Sequence, residues 1–227
     1  MENKKIVIFI VEDDESVREN LKNNLNNFKI KTSEDDQFEV LVKEYKSVHD
    51  IELILERDSE LESYLKIGVF DLVRKGDIPS KKENKNKNNY SLSKKYDETK
   101  EYYTRRAINF LNNEIITLYN NHKINYIIIT KVVKYCEANK KLERFETYLE
   151  ILNKLFKKLN CDSYIVHKDP TIEGDYSVAG EGIVNDTVIS DVKSKLNTLI
   201  KKLKENNYEN YDDVERIDFK KEYSNIK

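Results

Sequence analysis

Three consecutive carboxylates, Glu12, Asp13 and Asp14, follow directly on the apolar run KIVIFIV at residues 5–11. Neighbouring like charges repel, so such a cluster is either a solvated loop or a place where a cation neutralises the group. An all-oxygen donor set suits a hard divalent ion such as magnesium. Glu56 and Asp58 stand in the same relation to a second apolar run, IELIL at 51–55. If both runs are parallel strands, their carboxylates meet, because ligands of parallel α/β sheets bind beyond the carboxyl ends of the strands.

The elements that would position these acids can be read from periodicity. Residues 5–11 are β-branched and aromatic without alternation, the pattern of a strand covered on both faces. Ser16, with Glu19 three places on, has capping-box spacing, and Val17, Leu21, Leu25 and Phe28 give the following helix one apolar stripe. FKIKT at 28–32 alternates like a short strand. Phe38, Leu41, Val42 and Tyr45 have helical spacing, IELIL reads as a third strand, and Leu61, Tyr64, Leu65 and Ile67 suggest a helix closed by Gly68. FDLV at 70–73 completes a strand–helix alternation, which implies a parallel sheet with helices on its faces.

From Pro79 the character changes. Residues 79–96 are polar, aperiodic and rich in Lys and Asn, as in a linker. Residues 97–227 read as mainly helical. Ala107, Leu111, Ile115 and Leu118 form one stripe; INYIIIT at 124–130 fits a strand or a buried helix, and its run into KVVKYCEANKK favours helix; 142–159 is the most amphipathic segment; 163–167 suggests a short strand; and a last helix runs from Thr187 to Asn206. Between them, 169–186 is a glycine-bearing acidic loop. The expected organisation is an α/β domain over 1–78, a linker over 79–96 and a mainly helical output or partner-binding domain over 97–227. Segment 142–159 could close its own core or form a homodimer seam.

Composition narrows the function classes. Forty basic against 42 acidic side chains leave a net charge of -2, which does not indicate nucleic acid as a partner. The apolar run near the start is too short for a membrane span or a signal-peptide core. Cys136 and Cys161 make neither a disulfide framework nor a zinc site, so a cytoplasmic location is expected. The three histidines, at 49, 122 and 167, have no triad or metal spacing.

VEDDESVREN, at 11–20, resembles the opening of the receiver domains of two-component response regulators, in which an apolar strand ends in an acidic pair before a helix with Arg-Glu near its start. GVFDLVRKG, at 68–76, is similar to that family's Gly-Ala-x-Asp-Tyr-Leu-x-Lys-Pro signature. The resemblance covers about residues 4–80. It implies a flavodoxin-like parallel sheet, here truncated, with Glu12 and Asp13 as the acidic pair holding magnesium, Glu56 as the third metal-side carboxylate where the acceptor aspartate belongs, and Lys75 as the phosphate-side lysine. With glutamate in the acceptor place and no evident hydroxyl residue for the fourth strand, it implies a degenerate receiver. Such a protein would act in signalling by binding a protein partner without aspartyl phosphorylation. VED at 11–13 and ERD at 56–58 carry the alternative resemblance, to Toprim-type nuclease and primase domains, in which Glu12 would be the acid/base and Glu56 and Asp58 would hold magnesium for phosphodiester chemistry.

Overall fold

The computed structural model describes residues 4–30, 38–72, 107–130, 150, 165–169 and 183–205. Five strands, β1 (Lys4–Val11), β2 (Phe38–Tyr45), β3 (Leu65–Asp71), β4 (Asn125–Thr130) and β5 (Ile165–His167), form one sheet in the order β2-β1-β3-β4-β5, and every neighbouring pair is parallel. The described α-helices are α1 (Glu15–Asn26), α2 (Val48–Arg57), α3 (Ile116–His122) and α4 (Asp186–Glu205). A 3-10 turn at Ser59–Ser63 precedes β3, and a π-helical turn at Phe110–Ile115 leads into α3.

The sheet has a core on each face. Phe9, Val11, Phe70 and Ile128 pack with Ile51 of α2 and Leu118 of α3 on one side. Ile6, Ile8, Ile10, Val69 and Ile129 pack with Leu21 and Leu25 of α1 and with Val192, Leu196 and Leu199 of α4 on the other. Strands buried on both faces need apolar residues at every position, which explains the unbroken runs of β1 and β4. Among the described residues, no helix is long and apolar enough to cross a membrane.

Several sequence expectations are corrected. Residues 38–45 form β2 in place of a helix: Phe38, Val40 and Val42 face one core while Leu41 and Tyr45 face the other, and that spacing also satisfies a helical stripe. Residues 51–55 form the body of α2 in place of a strand. Its start is fixed by a capping box, in which Ser47 Oγ accepts from the Asp50 amide and the Asp50 carboxylate accepts from the Ser47 amide. Leu65 and Ile67 lie in β3, and Gly68 is no helix cap but a mid-strand residue whose missing Cβ makes room for the Phe70 ring. The strand expected at 70–73 is the carboxyl end of β3, which stops at Asp71. Residues 28–30 are not strand, and 31–32 lie outside the described residues. The cap of α1 is Asp14, which accepts from the Ser16 and Val17 amides, and not Ser16.

The largest correction concerns INYIIIT. It is β4, hydrogen-bonded beside β3 with Ile67 level with Asn125, so the sheet continues across the polar segment. β5 follows at Ile165–His167, where a short strand was expected. The sheet is therefore not truncated at four strands within the first 78 residues: it takes three strands from before the polar segment and two from after it. The expected apolar stripe of Ala107, Leu111, Ile115 and Leu118 is buried, and the last helix lies at Asp186–Glu205, within a residue of its expected bounds. The segments 79–96 and 142–149 lie outside the described residues, as does 151–159.

Candidate metal and phosphoryl site

Each strand of a parallel sheet delivers its last residue to the same edge. Beyond β1, the Glu12 amide donates to Tyr45 O at the end of β2 (3.3 Å); beyond β3, the Leu72 amide donates to Ile129 O (3.1 Å); beyond β5, the Lys168 amide donates to Thr130 O (3.1 Å). Val11 is level with Phe70, which sets Glu12 beside Asp71 on adjacent strands. Four chain segments distant in sequence thus bring Glu12, Asp13, Asp71, Thr130 and Lys168 to one rim.

Lys168 Nζ lies 2.9 Å from Asp71 Oδ2 and 3.4 Å from Glu12 Oε2, and all three side chains are almost wholly buried. Glu12 Oε1 accepts from the Asp14 amide at 3.1 Å. The Arg18 guanidinium, itself buried, donates to Glu12 O at 2.8 Å, so the backbone of the acidic pair is held from behind by the first turns of α1. Glu12, Asp13 and Asp71 each present a carboxylate oxygen within 4.8 Å of the others. That is a compact all-oxygen set, the donor chemistry that fits magnesium.

One lysine faces two buried carboxylates, and the charge balance is visible in their acidities. Burial and repulsion from Asp71 raise the Glu12 pKa from an ordinary 4.5 to about 8, outweighing the attraction of Lys168. Burial likewise pushes Asp71 upward against its ion pair with Lys168. Lys168 is raised despite its burial, because Asp71 and Glu12 both favour the ammonium. In the metal-free cluster both carboxyls thus favour their protonated forms more than ordinary acids do, while Lys168 keeps its ammonium. A divalent cation would favour the ionised carboxylates instead.

Among the residues expected from sequence, Glu12 and Asp13 are in this site. Glu56 is not: it is exposed in the last turn of α2, whose chain has travelled back toward the amino edge of the sheet. The 3-10 turn that follows shows where that edge is, since Glu60 pairs with Lys5 near the start of β1. Asp58 caps α2 and pairs with Lys43 at 3.3 Å, away from Glu12. The grouping of Glu12 with Glu56 and Asp58 that a nuclease would need is thus not formed. Lys75 lies outside the described residues; among the described residues, the lysine at the rim is Lys168. Asp71, Thr130 and Lys168 were missed by sequence reasoning, although each directly ends or follows an apolar run: IGVFD, YIIIT and YIVHK. No protein-family model and no curated protein matches this chain.

Proposed function

We propose that this chain is a receiver-type regulatory protein of flavodoxin-like topology, in which Asp71 accepts a phosphoryl group. The observation that carries the proposal is the ion pair of Asp71 with buried Lys168 at 2.9 Å, inside the three-carboxylate cluster at the carboxyl edge. The expectation of a degenerate, phosphorylation-independent receiver rested on Glu56 closing the third strand; that strand closes on Asp71. The strand order β2-β1-β3-β4-β5 supports the same reading, since it places the order reversal between β1 and β3, where Glu12 and Asp71 stand.

Each residue then has a role. Glu12, Asp13 and Asp71 hold magnesium, which when bound supplies positive charge against the phosphoryl oxygens. An Asp71 oxygen attacks the phosphorus of a small phosphodonor; the donor's bridging P–O bond breaks and its leaving group departs with that electron pair, leaving an aspartyl phosphate. Lys168 offsets the negative charge that then sits on Asp71. Thr130, buried at the end of β4, supplies the hydroxyl for which the sequence showed no evident fourth-strand residue. The modified rim would act by binding a protein partner in a cytoplasmic signalling role.

Incubation of the whole chain with acetyl phosphate and magnesium tests this. Intact mass should rise by one phosphoryl group, the adduct should map to Asp71, and Asp71→Asn should abolish it. No adduct in the wild type, or an adduct that persists in Asp71→Asn, refutes the assignment.

A further inference from the structure

Lys168 is the ammonium that pairs with both buried carboxylates of the rim, and it sits just past a strand of three residues, where its own amide bonds back to Thr130 O. The next residue adds a second anchor on the side away from β4. The Asp169 amide donates to Ile183 O (3.2 Å) and the Ile183 amide donates back to Asp169 O (2.7 Å), an antiparallel pair outside the sheet. The Asp169 carboxylate also accepts a hydrogen bond from Asn185 Nδ2. Asn185 serves the helix as well. Its Oδ1 accepts from the Val188 amide at 3.1 Å, and its main-chain oxygen accepts from the Ile189 amide at 2.9 Å, so it caps α4. α4 in turn is anchored along its length by Val188, Val192, Leu196, Leu199 and Leu203, all buried against the sheet. The chain from Lys168 to the helix core is therefore short and fully bonded.

We propose that Asp169 and Asn185 are positioning residues for Lys168, and that the Asp169–Asn185 hydrogen bond fixes the ammonium over Asp71 by tying it to the capped start of α4. The inference rests on the phosphoryl-acceptor reading of Asp71 and adds to it two residues outside the rim. Its logic is that of outer-shell partners in metal sites, which touch no ligand atom yet set where a functional side chain points. An ion pair of 2.9 Å depends steeply on where its stem begins, and Lys168 has a long stem with many rotamers.

The test separates the cap from the clasp. Asn185→Ser keeps a good N-cap residue but is too short to reach Asp169; Asp169→Asn keeps the hydrogen bond and removes a charge; Asn185→Asp with Asp169→Asn restores the bond with donor and acceptor exchanged. Acetyl-phosphate-driven modification of Asp71 should slow by about tenfold in Asn185→Ser, as expected for misplacement of a positioned group. It should stay near wild type in Asp169→Asn and return in the exchanged pair, with melting temperatures showing all variants folded. A wild-type rate in Asn185→Ser, or no recovery in the exchanged pair, overturns the proposal. If the wild type itself takes up no phosphoryl group, the acceptor reading fails instead, and the clasp is judged by a double-mutant cycle of Asn185→Ser with Lys168→Met in urea unfolding. The two losses should be clearly non-additive, because both release the same ion pair; additive losses overturn it.

Discussion

Protonation of Glu12 gives a stability profile opposite in sign to that of an ordinary salt-bridged acid. The unfolded chain releases this proton near pH 4.5, whereas the metal-free native state keeps it to about pH 8. Between those values the native state binds more protons, so stability falls as pH rises. At about 1.36 kcal/mol per pH unit, the span corresponds to at most ~5 kcal/mol. That is a large share of the roughly 5–15 kcal/mol that holds a domain folded. Asp71, raised for the same reason, slopes the same way, while Lys168, raised from 10.5, contributes stability that is lost only above this window. The measurement is urea unfolding followed by circular dichroism at pH 5, 6, 7 and 8 in chelator. Wild type should lose stability steadily across the series. Glu12→Gln, which keeps a carbonyl acceptor for the Asp14 amide but cannot ionise, should lose much less and exceed wild type at pH 8. Magnesium at pH 8 should restore the wild type, because the cation takes the place of the proton. Flat metal-free stability between pH 5 and 8, or an equal slope in Glu12→Gln, would show that the cluster does not carry this charge imbalance.

Four further outcomes follow from the same packing and charge pattern. Lys168→Met leaves Asp71 and Glu12 buried without a counter-charge and should cost about 3–5 kcal/mol at pH 8, with much of the loss recovered at pH 5, in the same unfolding assay. Gly68→Ala places a methyl group against the Phe70 ring inside β3 and should cost about 1–3 kcal/mol by urea midpoint. Ser47→Ala removes the side-chain acceptor of the α2 capping box and should cost about 1 kcal/mol. Glu56→Gln and Asp58→Asn, both away from the rim, should leave magnesium affinity unchanged by isothermal calorimetry; a loss of affinity in either would restore the grouping expected from sequence.

The parts of the fold that were legible were those with a single reading. β1 has no helical alternative, because Ile6 to Val11 are β-branched or aromatic without a break, and the last helix repeats its apolar stripe along its whole length. The errors came from short segments that satisfy two periods at once. Phe38, Leu41, Val42 and Tyr45 lie at helical spacing because an edge strand with apolar residues on both faces also places them there. IELIL is apolar enough for a strand, and only the preceding Ser47-x-x-Asp50 marks it as the inside of a capped helix. INYIIIT has no period at all, since its side chains alternate between two cores. Once 51–55 became a strand, the count of strands ran one ahead of the chain, and the end of the third strand was read at Glu56 in place of Asp71.

That displacement explains why half of the site was legible and half was not. Glu12 and Asp13 are recognisable because β1 and α1 supply their context within a short stretch of chain. Asp71 and Lys168 become meaningful only through pairing: α1, β2 and α2 separate Asp71 from Asp13, and Lys168 is 97 residues beyond Asp71. Neither separation is set by local chemistry; each depends on how much chain the sheet lets pass between adjacent strands, and here a long polar stretch lies between β3 and β4. Lysine and proline do stand close together after β5, as His-Lys-Asp-Pro, but with one residue between them they do not match a Lys-Pro signature. That intervening residue is Asp169, the one bonded to the cap of α4. The residue that hid the site lysine in the sequence is thus the one that holds it in the structure.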